Sequence, residues 1–158
     1  MEFRLAKENE LFTIMELYNE AKQSEFCVWN EFYPTINEIN EDYKTKNLYV
    51  YLIENEIVGA ISVVPENELD EIMEWTVKEK VKEIARVVVR KQFQGNNISF
   101  KMVINIIGIL KKQNYKAIHL SCQCDNIPAI KTYKKLGFNF ICKKDLFGHK
   151  YYICEYLL

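Results

Sequence analysis

Between Glu8 and Ser24 the apolar residues Leu11, Ile14, Met15, Leu17, Tyr18 and Ala21 return every three or four positions, with Phe12 beside them. That period predicts a helix with one buried face. A loop carrying Trp29, Phe32, Tyr33 and Pro34 comes next, and then Thr35-Ile36-Asn37-Glu38 has the form of a capping box. It opens a short helix whose apolar side is Ile36, Ile39 and Tyr43. From Leu48 the pattern changes. Residues 48–53 and 57–64 are dense in β-branched and aromatic side chains and flank Glu54-Asn55-Glu56, which predicts a hairpin; residues 3–5 suit a short first strand. Residues 65–82 are polar and acidic apart from Ile72, Met73, Trp75 and Val77, and read as a loop with at most one helical turn. A strong strand is expected over 83–90, a helix over 98–112 and another strand over 116–123. Asp125-Asn126-Ile127-Pro128 signals a helix start and Gly137 its end. Residues 138–143 and 150–156 pair as a last hairpin across 145–148. The string β-α-α-β-β-β-α-β-α-β-β points to an α/β or α+β fold built on a mixed sheet.

Composition narrows the class. A chain of 158 residues, nearly half apolar and about a quarter charged, is expected to form a single domain over 1–158 with a real core. The longest apolar run, Met102 to Leu110, is broken by Asn105 and is too short to span a bilayer, so no membrane partner is expected. MEFRLAKENE has no apolar segment of the kind a secretory signal needs, which suggests the cytoplasm. Cys27, Cys122, Cys124, Cys142 and Cys154 form no CxxC pair and read as free thiols of a reducing compartment. With only His119 and His149 besides, no metal site is expected. Charge is lopsided: residues 1–80 hold 7 basic against 18 acidic side chains, residues 81–158 hold 14 against 4. Either these are solvated faces, or the C-terminal half handles an anion while the N-terminal half faces a cation. The lysines are spread along helices without interleaved aromatics, so nucleic acid is not an expected partner. The closing YYICEYLL is apolar enough to cover a partner surface, which allows a homodimer.

Two stretches carry chemistry. Val87-Val88-Val89 is followed by Gln94-Gly95-Asn96-Asn97-Ile98-Ser99, and Asn126-Ile127-Pro128-Ala129-Ile130 leads to Tyr133-Lys134-Lys135-Leu136-Gly137-Phe138. Separated by one helix and one strand, they resemble the acetyl-CoA motifs of the GCN5-related N-acetyltransferase (GNAT) superfamily, and the element order resembles that fold over essentially the whole chain. The resemblance implies a mixed, mostly antiparallel central sheet flanked by helices, and direct transfer of an acetyl group from acetyl-CoA, without a metal, to a small-molecule or peptide amine. The first motif departs from the family pattern Gln/Arg-x-x-Gly-x-Gly/Ala. Gln92-x-x-Gly95-x-Asn97 keeps one glycine. Gln94-x-x-Asn97-x-Ser99 keeps none, but places Ser99 at the start of the apolar helix, where an anion would sit, and is preferred here. Asparagine is at ease in the left-handed region, so Asn97 can replace a glycine's conformation. Free N–H groups and the positive helix end, rather than glycine itself, supply the anion affinity.

By that resemblance the strand ending at Val89 parts from the strand carrying Ser121–Gln123, and the pantetheine arm lies in the gap, bonding main chain near Val87 and Val89. The Val89 N–H faces the thioester oxygen. Gln94, Gly95, Asn96, Asn97, Ile98, Ser99 and Phe100 form the pyrophosphate loop and helix opening. Tyr133 matches the general acid that protonates the departing thiolate, Asn126 bonds pantetheine or simply caps its helix, and Lys131 meets a phosphate. Strand alternation puts Glu83, Ala85, Val87 and Val89 on one face; a carboxylate at the start of this strand matches a base position of some family members, so the resemblance makes Glu83 a candidate general base, with a water chain as the other route. Trp29, Tyr33 and Trp75 are candidates to flank the acceptor. Arg86, a charge in an apolar strand, needs a carboxylate partner or a ligand. His119 reads as a strand residue with a satisfied ring and His149 as a surface one. The competing expectation is a non-catalytic, CoA-binding or regulatory module whose pyrophosphate loop has degenerated.

Overall fold

The computed structural model describes residues 1–65, 69 and 71–158. Seven strands form one sheet in the order β1-β2-β3-β4-β5-β7-β6: β1 (Glu2–Leu5), β2 (Leu48–Ile53), β3 (Glu56–Val64), β4 (Val81–Val89), β5 (Ala117–Gln123), β6 (Asn139–Leu146) and β7 (His149–Leu157). The helices are α1 (Leu11–Ala21), α2 (Ile36–Lys44), α3 (Ile98–Lys112) and α4 (Ile127–Leu136), with short 3-10 turns at Glu8–Glu10 and Lys91–Phe93. Pairing is antiparallel at β1–β2, β2–β3, β5–β7 and β6–β7, and parallel at β4–β5, where Val81, Lys82 and Glu83 oppose Ala117, Ile118 and His119. The element order is the one the sequence pattern predicts.

The chain divides into two compact units, Met1–Val64 with Ala85–Val103, and Pro65–Ile84 with Ile104–Leu158. In the first, α1 turns Leu11, Ile14, Leu17 and Tyr18 into a core shared with Ile39, Leu48, Val50, Leu52, Ile57, Ala60 and Val88. Each leucine, isoleucine or valine so buried is worth roughly 1.5–3 kcal/mol over leaving it in water. The α2 capping box forms as its sequence predicts: Asn37 N–H donates to Thr35 Oγ1 at 3.2 Å, and Thr35 N–H to Glu38 Oε2 at 2.6 Å. Gly59 on β3 sits in a tight place: a Cβ there would lie 3.1 Å from the Met102 thioether and from the Val88 carbonyl oxygen, closer than most side chains come.

In the second unit, Leu69, Ile72, Trp75 and Ile153 pack with Ile141, Cys142 and Leu146. The loop expected between Pro65 and Lys82 is a run of turns where described, and β4 begins at Val81; residues 66–68 and 70 lie outside the described residues. The last hairpin is tighter than expected. Its strands run to Leu146 and from His149, leaving Phe147 and Gly148 as a two-residue turn with φ of 51° and 79°. Such turns match strand twist with positive φ at both positions, and a phenylalanine in the first gives no sequence signal for it. Among the described residues no helix is long and apolar enough to cross a membrane, and no three His, Cys, Asp or Glu side chains gather as metal ligands.

Candidate functional site

Val87, Val88 and Val89 close β4, with Val88 buried and its neighbours half-buried. The chain then leaves the strand through Arg90, whose N–H donates to the Val58 carbonyl at 2.8 Å, and turns over Lys91–Phe93. Gln94 folds back, its side-chain amide donating to the Val89 carbonyl at 3.1 Å, and the Asn96 amide donates to the Phe93 carbonyl at 3.1 Å. Gly95 has φ 81° and Asn97 φ 58°. A Cβ on Gly95 would meet nothing within 4 Å, so glycine is there for its conformation and not for space. Asn97 thus makes a left-handed turn, and α3 begins at the next residue, Ile98, which is buried. Ser99 and Phe100 complete its first turn. N–H groups in the first turn of a helix have no intrahelical acceptor; the turn at Asn97 brings the exposed loop directly onto that end.

Arg86 departs from the sequence expectation. Its φ is 50°, so the alternation of β4 is interrupted there. The argument that set Glu83 on one face with Val87 and Val89 does not carry past that residue, because a left-handed residue turns the side chains beyond it out of period. Glu83 itself is half-buried and stands opposite His119 in the parallel ladder. The partner Arg86 needs is Asp42: Nε donates to Oδ2 at 2.9 Å and Nη2 to Oδ1 at 2.8 Å, while Nη1 donates to the Tyr33 hydroxyl at 2.8 Å. Asp42 is buried and also accepts from Ser62 Oγ at 2.6 Å. Burial works against the guanidinium's charge, but Tyr33 and Asp42 outweigh it and raise its pKa. Asp42 lies on the Ile39–Tyr43 face of α2, an acid in an apolar stripe; that was its sequence signal, and only the fold names its partner.

Of the residues expected to flank an acceptor, Tyr33 is exposed and holds Arg86. Trp29 is half-buried and packs edge-on against Tyr18, with centroids 5.4 Å apart. Trp75 must be corrected. It is 4% exposed, stacks on His119 with centroids 3.7 Å apart, and donates its indole N–H to the Leu69 carbonyl, so it is a core residue and not a pocket wall. Glu74 pairs with Lys144.

In the second unit, Asn126 caps α4, its Oδ1 accepting from Ala129 N–H at 3.2 Å, with Pro128 in the first turn. Gly137 ends the helix at φ 92°, where the Phe138 N–H reaches the Tyr133 carbonyl at 3.0 Å. That closure sets the Phe138 ring edge-on to Tyr133 at 5.4 Å. Tyr133 is buried, and desolvation, with the Cys122 and Cys154 thiols adding to it, raises its phenol well above the ordinary tyrosine range. The phenol therefore stays protonated through neutral pH. Burial likewise pushes the Cys122 thiol up to about 12, which makes it a packing group rather than a nucleophile. Lys131 is exposed, as is His149 at the start of β7, while His119 is buried with Nε2 2.8 Å from Glu155 Oε2.

The model of the acetyltransferase (GNAT) family matches residues 12–138. Among solved structures, the chain is similar to ribosomal-protein-alanine N-acetyltransferase from Brucella melitensis, at TM-score 0.81 and 18% identity over 100% of both chains. It is similar to a GNAT-family acetyltransferase from Streptococcus agalactiae, at TM-score 0.83 and 19% identity over 99% of this chain and 95% of that one. It is also similar to yncA from Salmonella typhimurium, solved with its cofactor acetyl-CoA, at TM-score 0.80 and 17% identity over 100% and 94%. No curated protein matches the chain.

Proposed function

This chain belongs to the acetyltransferase (GNAT) family, and we propose that it moves the acetyl group of acetyl-CoA directly onto a primary amine of a small molecule or peptide. One observation carries the donor half of this reading: the left-handed turn at Asn97 opens immediately onto the N-terminus of α3. That conformation, with Gly95 beside it, is what a pyrophosphate cradle requires, and this loop keeps it with one glycine. Backbone N–H groups of Gln94–Phe100 hold the pyrophosphate, and Lys131 supplies a further charge for a phosphate. The main chain of Val87 and Val89 bonds the pantetheine arm, to which Asn126 adds its side-chain NH₂, since its carboxamide oxygen serves the helix cap.

In the reaction the amine nitrogen, having given up a proton to Glu83 or to water, attacks the thioester carbon. The carbon–nitrogen bond forms, the carbonyl oxygen takes negative charge opposite the Val89 N–H, and the carbon–sulfur bond then breaks. The sulfur leaves with the electron pair and receives the proton of Tyr133, a phenol that desolvation keeps protonated, while the carbonyl re-forms and the nitrogen's surplus proton passes through water to the phenolate. Tyr33, exposed beside Arg86, and Trp29 flank the acceptor.

Titration of the purified protein with acetyl-CoA by calorimetry tests the donor half. Micromolar binding, weakened when dephospho-CoA replaces CoA, is the expected result. A folded sample that takes up no acetyl-CoA would overturn it, and binding without thiol release across a broad amine panel would overturn the transfer step.

A further inference from the structure

Arg86 holds φ 50° in the middle of a strand, immediately before Val87-Val88-Val89. Among L residues only asparagine, aspartate and histidine visit that region with any ease, and arginine has no local hydrogen bond that favours it. Such a conformation persists only where the surroundings over-determine it. Here they do. Both edges of the carboxylate of Asp42, 3% exposed, are taken by the Arg86 fork, at 2.9 and 2.8 Å. Ser62, wholly buried on β3, donates to the same carboxylate at 2.6 Å, and the Tyr33 hydroxyl receives the remaining arm of the fork at 2.8 Å. Helix α2, strand β3 and the loop before α2 are thereby tied to one point of β4. Glycine would permit the bend without imposing it; a buried ion pair with its remaining lone pairs satisfied imposes it.

We infer that Asp42, backed by Ser62, is a positioning residue for acetyl transfer: through Arg86 it fixes the left-handed bend that aims the main chain of Val87–Val89 at the acetyl donor. The inference rests on the reading that this main chain binds acetyl-CoA. An irregular residue in a strand re-aims the residues after it, so release of Arg86 to extended backbone would turn the amides of 87–89 away from that direction. Asp42 touches neither donor nor acceptor in this scheme; it acts through Arg86 alone.

The test compares Asp42→Asn with two double variants, Asp42→Asn/Arg86→Ala and Asp42→Asn/Arg86→Gly. The doubles lack the same ion pair and carry the same charge, and they differ by one methyl group on the residue that must hold positive φ. Two readouts are taken: the dissociation constant for acetyl-CoA, and the amide NMR shifts of Val87, Val88 and Val89 in the ligand-free protein. Asp42→Asn is expected to weaken acetyl-CoA about tenfold or more and to move the three amides. The glycine double is expected to bind about tenfold more tightly than the alanine double, which alone is driven out of the left-handed region, and to return the amides toward their parent positions. Equal affinity in the two doubles, with the amides of 87–89 alike in both, would overturn the inference. Should the parent protein not bind acetyl-CoA, the donor reading falls, and the amide shifts still decide whether Asp42 sets the bend.

Discussion

The surroundings of Tyr133 bear directly on the role proposed for it. In water a phenol is too weak an acid to be much affected near neutrality, and burial against Phe138, with two thiols beside it, raises it further. A group so placed holds its proton against solvent, and in the proposed scheme it passes that proton to the sulfur only as the carbon–sulfur bond breaks. Tyr133→Phe keeps the ring and its packing and removes the proton; it should lower kcat by about 10²-fold or more while acetyl-CoA affinity moves less than about threefold. Because the raised pKa keeps the acid form filled, the parent enzyme's kcat should not begin to fall at about pH 10, where an ordinary tyrosine ionises. Steady-state kinetics with calorimetry read both effects, and equal turnover in the phenylalanine variant would take Tyr133 out of the reaction. The helix that carries Tyr133 was legible in the sequence because its start at Asn126 and its stop at Gly137 are local signals. The left-handed Asn97 was legible for the same reason. Arg86 was only half legible: its need for a partner comes from one charged residue among valines, but Asp42 lies 44 positions away, and nothing local announces a bend at an arginine.

At the scale of elements, the turns before β4 are fastened to the sheet by a buried acid. Glu155 on β7, 1% exposed, accepts from the Thr76 N–H, the Thr76 hydroxyl and the Val77 N–H, and bonds the His119 ring. Burial alone would raise its pKa, but the hydrogen bonds from Thr76, Val77 and His119 outweigh that and hold it below the usual carboxylate range. A carboxyl whose folded pKa is depressed stabilises the fold above its unfolded value, near 4.3, and loses that contribution as pH falls through the folded value. Glu155→Gln, which replaces one acceptor by an NH₂ donor, should therefore cost about 1–3 kcal/mol at pH 7, and the gap from the parent should narrow toward about pH 3. Denaturant midpoints at the two pH values measure this; a gap of the same size at both would show that the charge of Glu155 is not what fastens the loop. The sequence reading placed His119 as a satisfied strand residue, as found, but named Trp75 only as a candidate to flank the acceptor, and the structure buries it. An aromatic among acidic residues looks exposed, and only the fold shows that it stacks on His119.

Taken over the whole molecule, the order of strands and helices was legible almost throughout, because each element carries its own period, cap or turn residue: the capping box at Thr35, the helix start at Asn126, the glycine stop at Gly137. The charge asymmetry along the chain does not carry over to the folded units, for a reason of topology. Along the chain, residues 1–80 sum to −11 and residues 81–158 to +10. Folding exchanges segments between these halves, since 85–103 joins the N-terminal unit and 65–84 the C-terminal one. The first unit then holds 9 basic against 12 acidic side chains, the second 12 against 10, so the net charges shrink to −3 and +2. A field strong enough to steer substrates needs a coherent excess of one sign, and neither unit carries one. For the proposed amine acceptor, short-range contacts, which salt screens little, are then the expected basis of recognition, rather than attraction of a cation to an acidic half. For a dicationic amine acceptor, kcat/KM should change less than about threefold between low salt and a concentration at which the screening length falls to a few ångströms. A tenfold fall over that range would instead mean that acidic side chains gather into one field at the acceptor's approach, in spite of the near balance of each unit. Repeating the series with a neutral amine separates the two, since screening of a steering field acts on the cation alone.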